Sequence, residues 1–226
     1  MANKVEISVL ISAYNQEKYI ARCLRSLLNQ SLNNKKFEII IINDGSSDRT
    51  LFVAELFKSP KDSLIKIINN EKNLGLPASL NKAINVAQGK YVVRIDSDDW
   101  VSNDFLKLLY TYLDNNDYMD AIACDYNLVD KNEQVLERKN CFLDPIACGI
   151  MFKKKDLQEI GLYDESFHCN EEIDLRIRFE KKFKINRLEL PLYRYRKHEN
   201  NMTNNKEFLD KYDKKLFKKH GKVNTL

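Results

Sequence analysis

Glycine and proline are scarce in this 226-residue chain, six and four respectively, so no low-complexity linker divides it. Charge of one sign is not in excess either: 37 Lys and Arg stand against 33 Asp and Glu, a net charge of +4. A protein that grips duplex nucleic acid would show a clearer basic surplus, so no nucleic-acid partner is expected. Nowhere do about 20 apolar residues run together, as a membrane span requires. The opening "MANKVEISVLISAYNQ" has an apolar run too short for a secretion signal and reads as a strand. Cysteine pairs at CxxC spacing are missing. The five cysteines, at 23, 124, 141, 148 and 169, are odd in number, which suggests neither a zinc site nor a closed set of disulfides. Reduced thiols point to a cytoplasmic location.

What is present is a 43% hydrophobic content, enough for one compact domain with a sizeable core. "VEISVLISAY" and "FEIIIIND" are nearly continuous apolar runs, the mark of strands buried on both faces. "LIKIIN" and "KYVVRID" read as a third and a fourth strand. Between them lie helical patterns. Tyr19, Ile20, Cys23, Leu24, Leu27 and Leu28 recur at helical spacing. Asp48 is placed to cap a helix from Thr50 to Lys58. Pro77 suits the first turn of "PASLNKAINVAQG", which Gly89 is expected to end. Ser102 is expected to cap "NDFLKLLYTYLDNN". Residues 1–114 therefore alternate β and α four times, which predicts an α/β fold with a mostly parallel central sheet and helices on both faces. Beyond them, "DAIACDYNLVD" and "QVLERKNCF" look like strands of a more antiparallel half. "KKKDLQEIG" and "EEIDLRIRFEKK" look like helices, and "INRLEL" and "LYRYR" like two short strands.

Ligands of open α/β sheets bind beyond the carboxyl ends of the strands. Strand one ends in Ser12, Ala13, Tyr14 and Asn15, strand two in "NDGSSD", and strand four in Asp96, Asp98 and Asp99. The residues of "NDGSSD" favour turns and caps in any case, yet Asp44 closes a very apolar strand, where a small ligand could use it as an acceptor. The three aspartates of "DSDD" either face the positive end of the next helix or hold a divalent cation, Mg2+ or Mn2+, whose charge would offset their repulsion. Glu171 and Glu172 suit the first turn of a solvated helix; alternatively one of them is a general base. Arg194, Arg196 and His198 alternate, so on a strand they share a face suited to a diphosphate.

Six segments in order resemble the family 2 glycosyltransferases, inverting nucleotide-sugar enzymes of the GT-A type. They are "ISVLISAYNQEKYIARCLRSLLNQ", "FEIIIINDGSSDRT", "NLGLPASLNKAINVAQGKYVVRIDSDDW", "GIMFKKKDLQEIGLYDESF", "EEIDLRIR" and "LYRYRKHENNMT". The resemblance runs from about Ile7 to Thr203. It implies a Rossmann-like α/β/α sandwich, with a catalytic domain over 1–203: a nucleotide-binding half, 1–99, and an acceptor-side half, 100–203. It implies a UDP- or dTDP-sugar donor, a glycan or lipid-linked acceptor, and Mn2+ or Mg2+. Ala13 and Tyr14 would line the base pocket, with Asp44 accepting from the base. Asp96 would approach the ribose, Asp99 the sugar, and Arg196 the diphosphate. Asp98 would hold the metal, with His198 beside it. Where the family carries Glu-Asp this chain has Glu171-Glu172, and the second acid, Glu172, takes the role of base. Where many members carry arginine, this chain has Leu80.

A sugar nucleotidyltransferase shares this layout but needs a Gly-rich basic loop after the first strand, where "SAYNQEKY" has no glycine. The non-enzyme alternative is a transferase-like binding module without catalysis. The tail, 204–226, is lysine-rich and helix-prone. Phe208, Leu209, Tyr212, Leu216 and Phe217 form one stripe, which could meet an anionic membrane surface. Glu207, Asp210 and Asp213 dilute the positive face and favour packing on the domain itself or on a second copy, as in a homodimer.

Overall fold

The computed structural model describes residues 4–59, 63–198 and 206–221, and in the last segment side chains from 209 onward. The expectations for residues 199–203 and for the side chains of Glu207 and Phe208 lie outside the described residues.

The apolar runs become the first strands: β1 (Ile7–Ala13), β2 (Phe37–Asn43), β3 (Ile65–Asn69) and β4 (Tyr91–Arg94). All four are parallel neighbours, in the order β3-β2-β1-β4. Between them run α1 (Ile20–Leu28), α2 (Thr50–Glu55) and α3 (Leu76–Val86). After β4 come β5 (Trp100–Val101), α4 (Phe105–Asp114), β6 (Ala121–Val129), β7 (Val135–Lys139), β8 (Ile150–Lys153), α5 (Lys154–Glu159), α6 (Glu171–Glu180), β9 (Ile185–Arg196) and α7 (Lys206–His220). The sheet continues β4-β8-β6-β9-β5, with β7 paired to β6. β8 runs antiparallel to both neighbours, β9 parallel to β6, and β5 antiparallel to β9.

Successive side chains of a strand face opposite ways. Val9, Ile11, Ile39 and Ile41 therefore meet α1 and α4 in one apolar cluster, while Leu10, Ile40 and Ile42 meet α3, α5 and α6 in the other. Both faces of the sheet are thus covered. Because β1 to β4 are parallel, their carboxyl ends form one edge, and the polar residues that follow them are brought together there.

Four local expectations are corrected. α3 ends at Val86, before Gly89. A Cβ on Gly89 would lie 2.6 Å from the Ser8 nitrogen and 2.7 Å from the Ile7 carbonyl carbon, so this glycine allows β4 to approach β1. The first turn of α4 is not capped by Ser102, whose buried Oγ has no hydrogen-bond partner. The Leu106 amide donates instead to Gln30 Oε1 at 2.9 Å, a partner 76 residues away that no local pattern announces. "INRLEL" and "LYRYR" are one strand, β9, whose pairing with β6 shifts register at Cys124/Asp125 and again at Asp125/Tyr126, opposite Pro191. Finally, α2 closes at Glu55, short of Lys58.

The tail helix packs on its own domain. Tyr212 and Leu216 are buried with Phe167 and Cys169, and Leu209, Ile173 and Ile177 join them. His220 Nε2 stands 2.7 Å from Asp174 Oδ1, and Asn170 Nδ2 donates to Asp213 at 2.6 Å. Among the described residues no helix is long and apolar enough to cross a membrane.

Candidate active site

The loops after β1 and β2 are tied to each other. The Asp44 amide donates to the Ala13 carbonyl at 2.8 Å. Ser46 Oγ accepts from the Asn15 amide, and Asp48 accepts from the amides of Glu17 and Thr50. Asp48 thus does serve the start of α2. Ala13 is buried and Tyr14 is 47% exposed at the mouth of this edge. Two buried amide oxygens here, Gln16 Oε1 and Asn43 Oδ1, lack a hydrogen-bond donor. Asp44 is itself buried. Its carboxylate accepts from Asn70 Nδ2 at 2.7 Å and from the amides of Leu74 and Gly75 at 2.9 Å. Asp44 therefore anchors the loop between β3 and α3. Gly45 permits the approach, since a Cβ there would sit 2.5 Å from the Lys72 carbonyl carbon and φ is +69°.

The three aspartates after β4 receive different partners. Asp96 pairs with Arg94, Nε to Oδ1 at 2.7 Å and Nη2 to Oδ2 at 3.2 Å, and takes the Cys148 thiol at 2.8 Å. Asp98 Oδ2 lies 2.9 Å from His198 Nε2, and the Asp98 carbonyl accepts from Arg196 Nε at 2.9 Å. Asp99 faces inward. It accepts from Tyr193 Oη and from the Arg196 amide, both at 2.7 Å. Burial, together with Asp98 and Asp96, pushes its carboxyl well above the usual carboxylate range. Its two oxygens hold β9 against the β4–β5 loop.

An aromatic and cationic stack completes this corner. Tyr19 stacks on His198 with ring centroids 5.0 Å apart. The Arg196 guanidinium lies 4.5 Å from the Trp100 ring and 5.2 Å from Tyr19. Arg196 is 4% exposed, and it also pairs with Glu133 at 3.2 Å.

Arg94 links the aspartates to the start of α6. Its Nη1 donates to Glu171 Oε1 at 2.9 Å while its other nitrogens hold Asp96. Burial alone would lower the guanidinium's proton affinity; Asp96 and Glu171 raise it well above normal. Glu171 is buried in this pair. Glu172, next to it, lines a cavity of about 390 Å3 with Tyr126, Ile146, Tyr163, Ile173 and Arg176. Burial and the neighbouring Glu171 push the Glu172 carboxyl up to about 8, against the pull of Arg94. A carboxylate whose proton affinity lies near neutral is suited to general-base work.

Asp96, Asp99 and Cys148 bring ligand-type atoms within 4.8 Å of one another. The Cys148 thiol, kept protonated by burial, is a poor ligand for a hard cation, and both carboxylates are already engaged, Asp96 by Arg94 and Asp99 by Tyr193 and the Arg196 amide. Asp98 with His198, a carboxylate oxygen and an imidazole, is the better donor pair. Leu80, which stands where the resemblance implies arginine in many members, is buried among apolar side chains. Arg94, Tyr193, Cys148, Tyr19 and Glu133 are site residues that the sequence alone does not single out. For Arg94 a signal exists: it is the charged residue in a buried four-residue strand.

Solved structures of similar fold include the Staphylococcus aureus protein TarS, residues 1–349, in complex with UDP-GlcNAc. The TM-score is 0.75 at 22% identity, covering 88% of this chain and 61% of that one. A mannosyltransferase of Pyrobaculum calidifontis in complex with GDP-Man and Mn2+ matches with TM-score 0.71 at 16% identity, over 88% and 59%. At such identities these likenesses speak for the fold. In sequence, an uncharacterized glycosyltransferase of Methanocaldococcus jannaschii is 30% identical over 210 residues, 86% of this chain and 71% of that protein. The chain spans only 40% and 33% of the length of two other glycosyltransferase relatives. The family model described as glycosyl transferase family 2 matches residues 8–170, and with most of the chain so matched, the protein belongs to that family.

Proposed function

We propose that the protein transfers a sugar, with inversion, from a nucleoside-diphosphate sugar to a hydroxyl of a glycan or lipid-linked glycan, with UDP- or dTDP-sugars as donors. The observation that carries this reading is the Arg94 bridge, which fixes the first turn of α6 to the aspartate edge. Glu172, on that turn, lines the cavity of about 390 Å3, which in this reading receives the acceptor. The complexes of TarS with UDP-GlcNAc and of the mannosyltransferase with GDP-Man support a donor of this class.

In this reading Ala13, Tyr14 and the loop anchored by Asp44 hold the base. Asp96, whose side chain keeps 28% exposure, meets the ribose. Asp98 and His198 hold Mn2+ or Mg2+, and Arg196 aims Asp98 through its carbonyl. A cation held there would supply positive charge to the leaving diphosphate. Glu172 takes the proton of the acceptor hydroxyl, and Glu171 positions it by holding Arg94. The catalytic unit is residues 1–203, with 1–99 serving the nucleotide, 100–203 the acceptor, and the tail bracing α6.

Release of UDP from a panel of sugar nucleotides, with candidate acceptors, tests the proposal. Glu172→Gln is expected to lower turnover by about 10²–10⁴-fold while leaving donor affinity within about twofold, a difference of roughly 0.4 kcal/mol. Wild-type turnover in that variant would remove Glu172 from the reaction. EDTA is expected to abolish transfer and Mn2+ to restore it; transfer undiminished after chelation would remove the metal.

A further inference from the structure

A second cavity, of about 670 Å3, lies where α1, the β5–α4 loop and β9 meet. Arg22, Arg25 and Arg194 line it, with Asn29, Asn103 and Trp100, and no acidic side chain is on its wall. None of the residues placed above at the base, the metal or the acceptor hydroxyl lines it. Guanidinium groups gathered at one cavity repel one another, and such an arrangement is stabilised by an anion.

Arg22 is answered by Glu133, at 3.1 Å. The other two are not. Arg25 is exposed on the surface of α1, and Arg194 is half-buried on β9. Arg194 Nη1 donates to the carbonyls of Pro191 at 2.6 Å and Tyr193 at 3.3 Å. Among the described residues Arg194 and Arg25 make no ion pair with a carboxylate. Burial, with Arg22 nearby, lowers the proton affinity of Arg194, the sign of a cation short of counter-charge. On the same wall is Ser102, whose buried hydroxyl oxygen has no partner. The wall thus offers forked cationic donors and amides. Guanidinium forks match the oxygens of phosphate two at a time, so an anion with three or four oxygens can engage several arginines together.

We infer that this cavity is a second ligand site, separate from the sugar-transfer site, that binds a phosphate group as the free ion or as a phosphoester. Trp100 on its wall is the chain's single tryptophan, so intrinsic fluorescence reports on this corner of the molecule. At constant ionic strength, titration of the full chain with inorganic phosphate, and separately with glycerol 3-phosphate, is expected to give a saturable change in emission. Arg194→Gln and the surface variant Arg25→Glu are each expected to weaken that response at least tenfold, and Arg25→Glu to do so with UDP affinity unchanged. Tighter response to the free ion assigns the site to inorganic phosphate, and tighter response to the ester assigns it to a phosphoester; both support the site. No saturable response in the wild type overturns the inference. So does a response that survives in Arg25→Glu, which shows that phosphate is entering the donor pocket instead. Loss of transfer activity in Glu172→Gln leaves the titration untouched, so the two readings fail separately.

Discussion

Arg94 sorts the acids at the sheet edge. By holding Asp96 and Glu171 with one guanidinium, it offsets the burial of Glu172 only in part. Its proton affinity, raised from 4.5 to about 8, sets the direction of two measurements. The base must be ionised to act, so kcat/KM is expected to rise with pH and reach half its plateau near pH 8 in the free enzyme. A profile flat across that range would exclude Glu172. A carboxyl raised on folding also costs stability once it ionises: its contribution is full below the unfolded value and is lost as pH rises through the folded one. Glu172→Gln is therefore expected to melt at a higher temperature than wild type above pH 8, with the two converging in acid. The residues proposed to act, Asp98, His198 and Glu172, stand out in the sequence because acids and imidazole at strand ends announce themselves. Their supports do not. Tyr193 and Cys148 reach Asp99 and Asp96 from 94 and 52 residues away, and a hydroxyl or thiol inside an apolar segment reads as core.

At the scale of elements, the first four strands are legible because a strand buried on both faces needs a continuous apolar run, and parallel pairing needs a helix between runs. The second half hides from the same reasoning. β5 and β8 have two and four residues, too few for a periodicity to emerge. β9 reads as two strands because Pro191 breaks its pattern; in the fold the break is absorbed as a register shift opposite Asp125. That shift is stabilised by charge. Arg187 grips Asp125 at 2.9 and 2.8 Å, and Arg138 and the Cys141 amide add to it. Burial alone would raise this carboxyl; these donors outweigh it and hold it at about 2, from 3.8. A lowered carboxyl gives stability that is full above the unfolded value and is lost as pH falls through the folded one. Asp125→Asn is expected to cost about 1–3 kcal/mol at neutral pH and to flatten the fall in stability between pH 3.8 and about 2. Parallel acid-melting curves for the two proteins would count against this account.

Across the whole molecule, one sheet holds strands from both halves of the chain, 1–99 and 100–203, so the two cannot shift relative to each other without breaking strand pairing. The tail extends that rigidity to α6. Leu216, 3% exposed, packs with Phe167 and Tyr212 on the helix that carries Glu172. Leu216→Ala is expected to cost about 2–3 kcal/mol and to lower Tm by roughly 4–12 °C. An unchanged Tm would show that the tail does not brace the domain. The five cysteines have a practical consequence. All are buried and unpaired, and burial raises the proton affinity of each thiol. Maleimides react with exposed thiolate, so the native chain is nearly silent to them. A single cysteine introduced on the exposed side of α7 would be the one fast-reacting position. A fluorophore could then be attached there without removing any native thiol, and the docking of the tail followed in real time.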